Sequence, residues 1–186
     1  MYKRLAAALL LALLGGCASL APTVPASARP DPDSGIVAGL FNRQGMSFAL
    51  VLRPIGGTAE YILPMGEDVR WPGDTQRSSV AIQVPPGIYV IAEYFAYGTV
   101  SKEDISRRPN TIAALQAPFE VRAGSVVHLG EISVESLPVR GPNGYTAGFN
   151  MRISPRHTPW PAVRGAFEGA YPFLASMPAT CLLCGP

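Results

Sequence analysis

The chain has 186 residues, of which 48% are hydrophobic and 15% are charged, and this composition excludes an intrinsically disordered protein, which would be poor in apolar residues. The 19 glycines and 19 prolines exclude a long helical bundle, because both residues interrupt helices, and favour short strands joined by turns. The formal net charge is +2 and no run of like charge exceeds two residues, which argues against nucleic-acid binding and against a polybasic segment for anionic lipids.

The N-terminus has the layout of an export signal. A short basic region precedes an apolar run that is too short to span a bilayer, which needs about 20 residues. The segment Leu14-Gly15-Gly16-Cys17 resembles the lipobox of bacterial lipoproteins, in which the leader is cleaved before an acylated cysteine. The resemblance implies a lipoprotein signal peptide over residues 1–16 and lipidation of Cys17.

Residues 17–35 comprise this cysteine and a segment rich in proline and serine. The composition predicts a tether, which at about 3.1 Å per residue could hold a domain several nanometres from the lipid. Ala18 follows the lipobox cysteine, and in the lipoproteins that the lipobox resembles this is compatible with transport to the outer membrane, facing the periplasm.

From residue 36 onward the hydrophobic pattern is mainly that of strands, with turns rich in glycine and proline between them. The predicted strands cover residues 36–41, 47–54, 60–64, 68–71, 79–84, 89–96, 119–123, 126–134 and 145–153. Short strands at this spacing predict a mainly β fold, a single β-sandwich of about 7–9 strands over residues 36–155.

Two short helical segments are expected beside the strands. The first covers residues 101–116, and the second follows Pro159, where apolar residues recur at helical spacing. Residues 156–186 are therefore predicted to form a proline-rich, partly helical tail that packs on the sandwich or contacts a partner.

Two turn-and-strand segments carry a second resemblance. Residues 84–90 read VPPGIYV and residues 119–130 read FEVRAGSVVHLG. The pair resembles a family of uncharacterised bacterial envelope lipoproteins, and it implies a transthyretin-like or carboxypeptidase-regulatory-like sandwich, a fold used for adhesion, binding and spacing. Both motifs are structural turns, so at least one of Gly87 and Gly124 is expected to have a positive φ, and valine at either position is expected to lower stability.

The sequence contains few arrangements that carry chemistry. It lacks the G-x-S-x-G elbow, the P-loop and the dinucleotide fingerprint. His128, in the middle of a strand, is predicted to be a satisfied or edge-exposed imidazole and not a catalytic base, and His157 to be a surface residue of a proline-rich loop. Glu93, inside an apolar strand, is expected to pair with an arginine of a neighbouring strand.

Cys181 and Cys184 form a C-x-x-C near the C-terminus. In an oxidising compartment they most simply form a local disulfide, while metal binding, with His157 as a spare ligand, and redox exchange are the alternatives. The aromatic residues are expected in the core, although several exposed together would mark a partner site. Those concerned are Tyr89, Tyr94, Phe95, Tyr97, Trp160, Phe167, Tyr171 and Phe173.

These observations together predict a lipid-anchored cell-envelope protein with a non-enzymatic binding or accessory role. Its expected partners are the membrane, through the anchor on Cys17, and another envelope protein, but not nucleic acid. No catalytic residue, metal ligand or cofactor is assigned. The alternatives are an envelope hydrolase and a metal-handling protein that uses Cys181 and Cys184.

Overall fold

The structure is a computed structural model that describes residues 23–29, 31–67, 75–98 and 104–185. The predicted signal peptide, Cys17 and the whole of the predicted strand 68–71 lie outside the described residues. The described part of the chain forms two five-stranded sheets and one α-helix.

The first sheet, sheet A, is mixed. It contains β1 (Gly35–Gln44), β4 (Thr75–Val84), β8 (Val126–Arg140), β9 (Thr146–Arg156) and β10 (Ala179–Cys181). β1 lies between β4, which is antiparallel to it, and β8, which is parallel to it. The other side of β8 pairs first with β10 and then, further along, with β9.

The second sheet, sheet B, is antiparallel. It contains β2 (Ser47–Pro54), β3 (Tyr61–Pro64), β5 (Gly87–Tyr97), β6 (Asp104–Pro109) and β7 (Phe119–Val121). The strand order is β3-β2-β5-β6, and β7 pairs with the first residues of β5.

Alternation along the strands places one row of apolar side chains of each sheet in a shared core. A second apolar layer lies on the outer face of sheet A, where α1 (Trp160–Ala170) buries Val163 and Phe167. Two short 3₁₀-helices, Ala113–Leu115 and Pro172–Leu174, complete the structure. The predicted mainly β fold with a short helix near the C-terminus is confirmed.

The predicted first helix is wrong in its described part, residues 104–116. Asp104–Pro109 form β6 instead, followed by one turn of 3₁₀-helix. Pro109 lacks an amide hydrogen and disfavours a helical conformation at the residue before it, while the edge of β5 provides backbone partners for an extended chain. Tertiary pairing therefore overrides the local helical pattern.

The proline-rich segment joins the domain earlier than its composition predicts. Val24 is buried, and its amide donates to the carbonyl of Ala81 on the edge of β4 at 2.8 Å. Further along, the side chain of Gln83 donates to Asp31 at 2.7 Å. Six residues separate Cys17 from Val24, so this stretch reaches about 25 Å at most, not the several nanometres expected of a longer tether.

The tail is part of the fold and not an appendage. α1 packs on sheet A, and the three residues of β10 pair in parallel with the start of β8. Of the two outcomes expected for the tail, packing on the sandwich is the one observed.

The two motifs of the sequence meet at one end of sheet B. Tyr89 of the first lies opposite Phe119 of the second, with ring centroids 6.3 Å apart. The Tyr89 hydroxyl donates to the carbonyl of Pro85 at 2.7 Å, and burial raises the pKa of this phenol to about 12. Gly124 has the expected positive φ, +66°, whereas Gly87 does not, so only Gly124 is a constrained turn position.

Candidate functional site

Cys181 and Cys184 form a disulfide with their Cα atoms 5.7 Å apart. Cys181 is the last residue of β10 and lies opposite His128 of β8. Between the two cysteines, Leu183 packs against the core between the sheets. The disulfide therefore closes a small loop that covers one end of the sandwich.

Replacing both cysteines by serine should leave the domain folded and lower its melting temperature by only a few degrees. The disulfide closes a very short loop, so the entropic model gives it no more than about 2 kcal/mol, and β10 retains its backbone pairing with β8. Thermal melts of the oxidised protein and of the double variant check this. A variant that no longer folds would show instead that the loop is essential, and two freely alkylated thiols in fresh wild-type protein would contradict the disulfide.

His128 is fully buried beneath α1. Its ring lies edge-on to Trp160 and Phe167, with centroids 6.0 Å away in each case. Nδ1 accepts a hydrogen bond from the amide of Gly130 at 2.9 Å, and Nε2 has no hydrogen-bond partner among the described residues. Burial lowers the pKa of His128 to about 4, so this is a neutral structural imidazole at the pH where a general base operates.

The buried imidazole makes stability dependent on pH. The pKa of His128 is about 4 in the folded state and about 6.5 in the unfolded chain. Between pH 4 and pH 6.5 the imidazole is therefore mostly neutral in the folded protein and mostly protonated in the unfolded chain. Stability is then full above pH 6.5 and falls as the pH decreases towards 4, by about 2–3 kcal/mol at pH 4.5. Urea unfolding at pH 7.5 and 4.5 measures this loss. Asparagine does not titrate, so the decrease in the free energy of unfolding between pH 7.5 and 4.5 should be smaller in His128→Asn than in wild type by this amount. Equal decreases in the two proteins would refute the assignment.

Glu93 belongs to a ring of four charges on the outer face of sheet B, to which Asp104 adds a contact with Arg107 at 3.5 Å. It pairs with Arg53 of β2, at 2.9 Å, and with Arg107 of β6, which confirms the expected pairing with arginines of neighbouring strands. Glu60 completes the ring by bonding to Arg53 at 2.5 Å and to Arg107 at 2.6 Å. Hydrogen bonding from Arg107 holds the pKa of Glu60 below its ordinary value, so both guanidinium groups face ionised carboxylates.

A two-stranded ribbon formed by β8 and β9 extends beyond the rest of sheet A. β1 ends at Gln44, which lies opposite Glu135 of β8. From residue 136 onward β8 has only β9 as a described neighbour, and the turn between them is closed by a 2.8 Å hydrogen bond from Gly141 to Tyr145. Residues 136–151, here called the projecting ribbon, therefore reach about 17 Å past the end of β1 at about 3.4 Å per residue.

The alternating apolar side chains that face the core continue along the projecting ribbon, where they are exposed to solvent. Ile153 and Met151 pack against the core, and Phe149 continues their face of β9 two residues further. Phe149 is 49% exposed and Tyr145, in the turn, is 76% exposed. Two strands alone are marginally stable in water, so exposed apolar side chains at this position favour contact with another molecule.

The other predicted residues are not gathered into a site. His157 is exposed, as expected of a loop residue. Across the residues that the structure describes, no three histidine, cysteine or carboxylate side chains lie close enough to hold a metal ion. Most of the aromatic residues expected in the core are buried there, and Phe173 is the exposed exception, at 53%.

Sequence reasoning missed the projecting ribbon. The sequence predicts a strand over residues 145–153, and alternation places Phe149 on the same face as Met151 and Ile153. Met151 and Ile153 contact the core, but Phe149 lies beyond the end of the core and is exposed, and the pattern alone does not distinguish the two cases. The signal that could have found the ribbon is Pro138 in β8, because a proline inside a strand indicates a position without a neighbour on its amide side.

No protein-family model matches the chain, and no curated protein matches it. Among solved structures, the chain is similar to a leucine-rich repeat protein from Bacteroides thetaiotaomicron VPI-5482, with 15% identity and a TM-score of 0.37. The similarity covers 62% of this chain and 15% of that chain, and a likeness this weak carries no argument about fold or function. No helix within the described ranges is long and apolar enough to cross a membrane.

Proposed function

We propose that this is a lipid-anchored protein of the bacterial cell envelope, at the outer membrane facing the periplasm, with a non-enzymatic binding or accessory role. The observation that carries the binding role is the projecting ribbon, whose Tyr145 and Phe149 are exposed at its turn and on β9. The lipobox that ends in Cys17 supplies the anchor.

The anchor is supported by the energetics of acylation. Each buried CH₂ group contributes about 0.8 kcal/mol, so a single chain holds a protein only weakly while several chains hold it durably. The resemblance of residues 14–17 to a lipobox implies such multiple acylation. A disulfide between Cys181 and Cys184 is the state expected of these thiols in an oxidising compartment outside the cytoplasm.

The binding role is supported by the shape and chemistry of the projecting ribbon. Aromatic residues are enriched where proteins bind one another, and Val139, Tyr145 and Phe149 are exposed on this one element. The outer face of sheet B is a contrasting surface, since its charges are already paired with each other. We therefore assign contact with another envelope protein to the ribbon.

The anchor is tested by Cys17→Ser. Wild-type protein should remain with membranes after a high-salt wash and enter solution only with detergent, whereas the variant should be soluble. A variant that still sediments with washed membranes would show that acylation of Cys17 is not what anchors the chain.

The binding role is tested by photo-cross-linking in intact envelopes. A photoreactive residue in place of Phe149 should give one adduct of defined mass, and the same residue in place of Ile105, which is 59% exposed on β6, should not. Tyr145→Ala should weaken the adduct at position 149. Equal labelling at both positions, or none at position 149, would count against a partner at the ribbon.

A further inference from the structure

We infer that the outer surface formed by α1 and the 3₁₀-helix Pro172–Leu174, here called the helical face, lies against the lipid surface with Phe173 among the headgroups. The inference rests on the proposed acylation of Cys17 and adds to it an orientation and a second, protein-mediated contact with the membrane.

The first step is the point where the chain joins the domain. The carbonyl of Ala81 accepts from the amide of Val24 at 2.8 Å, and the amide of Ala81 donates to the hydroxyl of Tyr171 at 3.1 Å. Val24, Tyr171 and Leu174 belong to one apolar cluster. The segment that leads to Cys17 therefore leaves the domain beside the C-terminal end of α1.

The second step is the length of chain between the proposed acylated cysteine and the first residue that joins the domain. Covalent geometry allows about 25 Å at most between Cys17 and Val24, whatever path residues 18–23 take. Phe173 is two residues from Tyr171 in the 3₁₀-helix. The helical face therefore lies beside the point where the linker joins the domain, and acylation of Cys17 would hold it within about 25 Å of the bilayer.

The third step compares this face with the other surfaces. The outer face of sheet B, on the opposite side of the molecule from α1, carries the Arg53, Glu60, Glu93 and Arg107 network. His128 lies at the level of Val24. The turn of the projecting ribbon begins after Arg140, which is twelve residues, or about 40 Å at about 3.3 Å per residue, further along β8. Neither surface is close to the linker.

The fourth step is the chemistry of the helical face. Most of its exposed residues are small or apolar, and these are Pro161, Ala162, Gly165, Gly169, Pro172 and Phe173. The charged side chains of α1 are Arg164 and Glu168, and these bind each other at 2.6 Å. A smooth surface with one exposed aromatic ring and a neutralised charge pair suits the interfacial layer of a bilayer.

The test places a tryptophan on each surface. Lipidated full-length protein, purified from membranes, is reconstituted into phosphatidylcholine vesicles with or without phosphatidylcholine brominated near the top of its acyl chains. Phe173→Trp is compared with Tyr145→Trp, since both native side chains are exposed aromatic rings, and the emission of the parent protein, with Trp71 and Trp160, is subtracted from each.

Bromolipid should reduce the emission of the tryptophan at position 173 at least twofold and leave that at position 145 unchanged. Equal quenching at the two positions, quenching at 145 alone, or none at either would overturn the orientation.

If Phe173→Trp does not fold, hydrogen exchange of the unsubstituted protein decides. Residues 160–174 should exchange at least threefold more slowly on vesicles than in soluble Cys17→Ser protein, with residues 138–149 unchanged. Equal rates would also overturn the orientation.

Flotation of the same vesicles separates the two proposals. Protein that floats with the vesicles but shows no quenching at position 173 leaves the anchor intact and removes only the orientation. Protein that does not float removes the anchor, and with it the orientation that rests on it.

Discussion

Gly130→Val should lower the free energy of unfolding by about 3–5 kcal/mol. Gly130 has φ +97°, a conformation that a β-branched residue adopts only under strain. A Cβ at this position would lie 2.9 Å from the Cβ of Leu183, so the disulfide loop would have to move as well. The residue also forms the irregularity at which β8 shifts its register against β1. Urea denaturation of wild type and variant measures the loss.

Gly124→Val is the matched control for this prediction. Gly124 also has a positive φ, but a Cβ there would have no heavy atom within 4 Å, so only the backbone strain remains. We expect a loss of about 1–2 kcal/mol. A loss at Gly130 no larger than that at Gly124 would mean that contact with Leu183 contributes nothing.

Arg43→Ala should lower the free energy of unfolding by about 3 kcal/mol or more. The side chain is 2% exposed, and its guanidinium group donates to the carbonyl of Gly45 at 2.7 Å, the carbonyl of Glu67 at 3.0 Å and the amide oxygen of Gln76 at 3.0 Å. These acceptors belong to three separate segments around the β1–β2 turn. Removing this buried charged donor breaks all three bonds, although the amide oxygen of Gln76 still accepts from the amide of Glu67. A buried acceptor left unpaired costs more than the bond itself contributes.

The control for this prediction is Arg77→Ala on β4. Arg77 is 52% exposed and pairs with Glu131 at 3.1 Å, and such surface pairs contribute about 0–1 kcal/mol. Arg43→Lys should fall between the two, since one ammonium group cannot reach all three acceptors. Chemical denaturation of the three variants gives the order, and an Arg43→Ala loss as small as that of Arg77→Ala would contradict the structural role.

Strand positions could be predicted from the sequence where alternation and turn residues agree. β2 has the predicted bounds, 47–54, because Phe48, Leu50 and Leu52 alternate between clear turns. β8 was expected to end at residue 134 but continues to Arg140. Pro138 does not end the strand. Beyond Glu135 the described part of β8 pairs with a strand on one side only, so no backbone hydrogen bond to a second strand depends on the amide hydrogen that proline lacks.

Other features depend on contacts between distant parts of the chain and have no local signal. β10 is three residues long, without a periodic pattern, and exists because the start of β8 offers it an edge. Val24 lies in a segment whose composition is that of a linker, yet the free edge of β4 and the apolar surface beside Tyr171 bind it. The disulfide could be anticipated from the C-x-x-C spacing together with the predicted export signal, whereas the surface exposure of Phe149 required the sheet topology.

The parallel pairing of β1 with β8 has a consequence for how the chain folds. Ile36 pairs with Val126, so β1 and its neighbour on that side lie 90 positions apart in the chain, and pairing over so long a separation is slow. Sheet B can close first, because all its strands lie between residues 47 and 121. Until β8 pairs with it, the apolar strand β1 presents an unpaired edge, the kind of surface through which nascent chains join one another. The chain is therefore expected to be most prone to aggregation before β8 pairs with β1, which is the stage at which a holding chaperone would protect it.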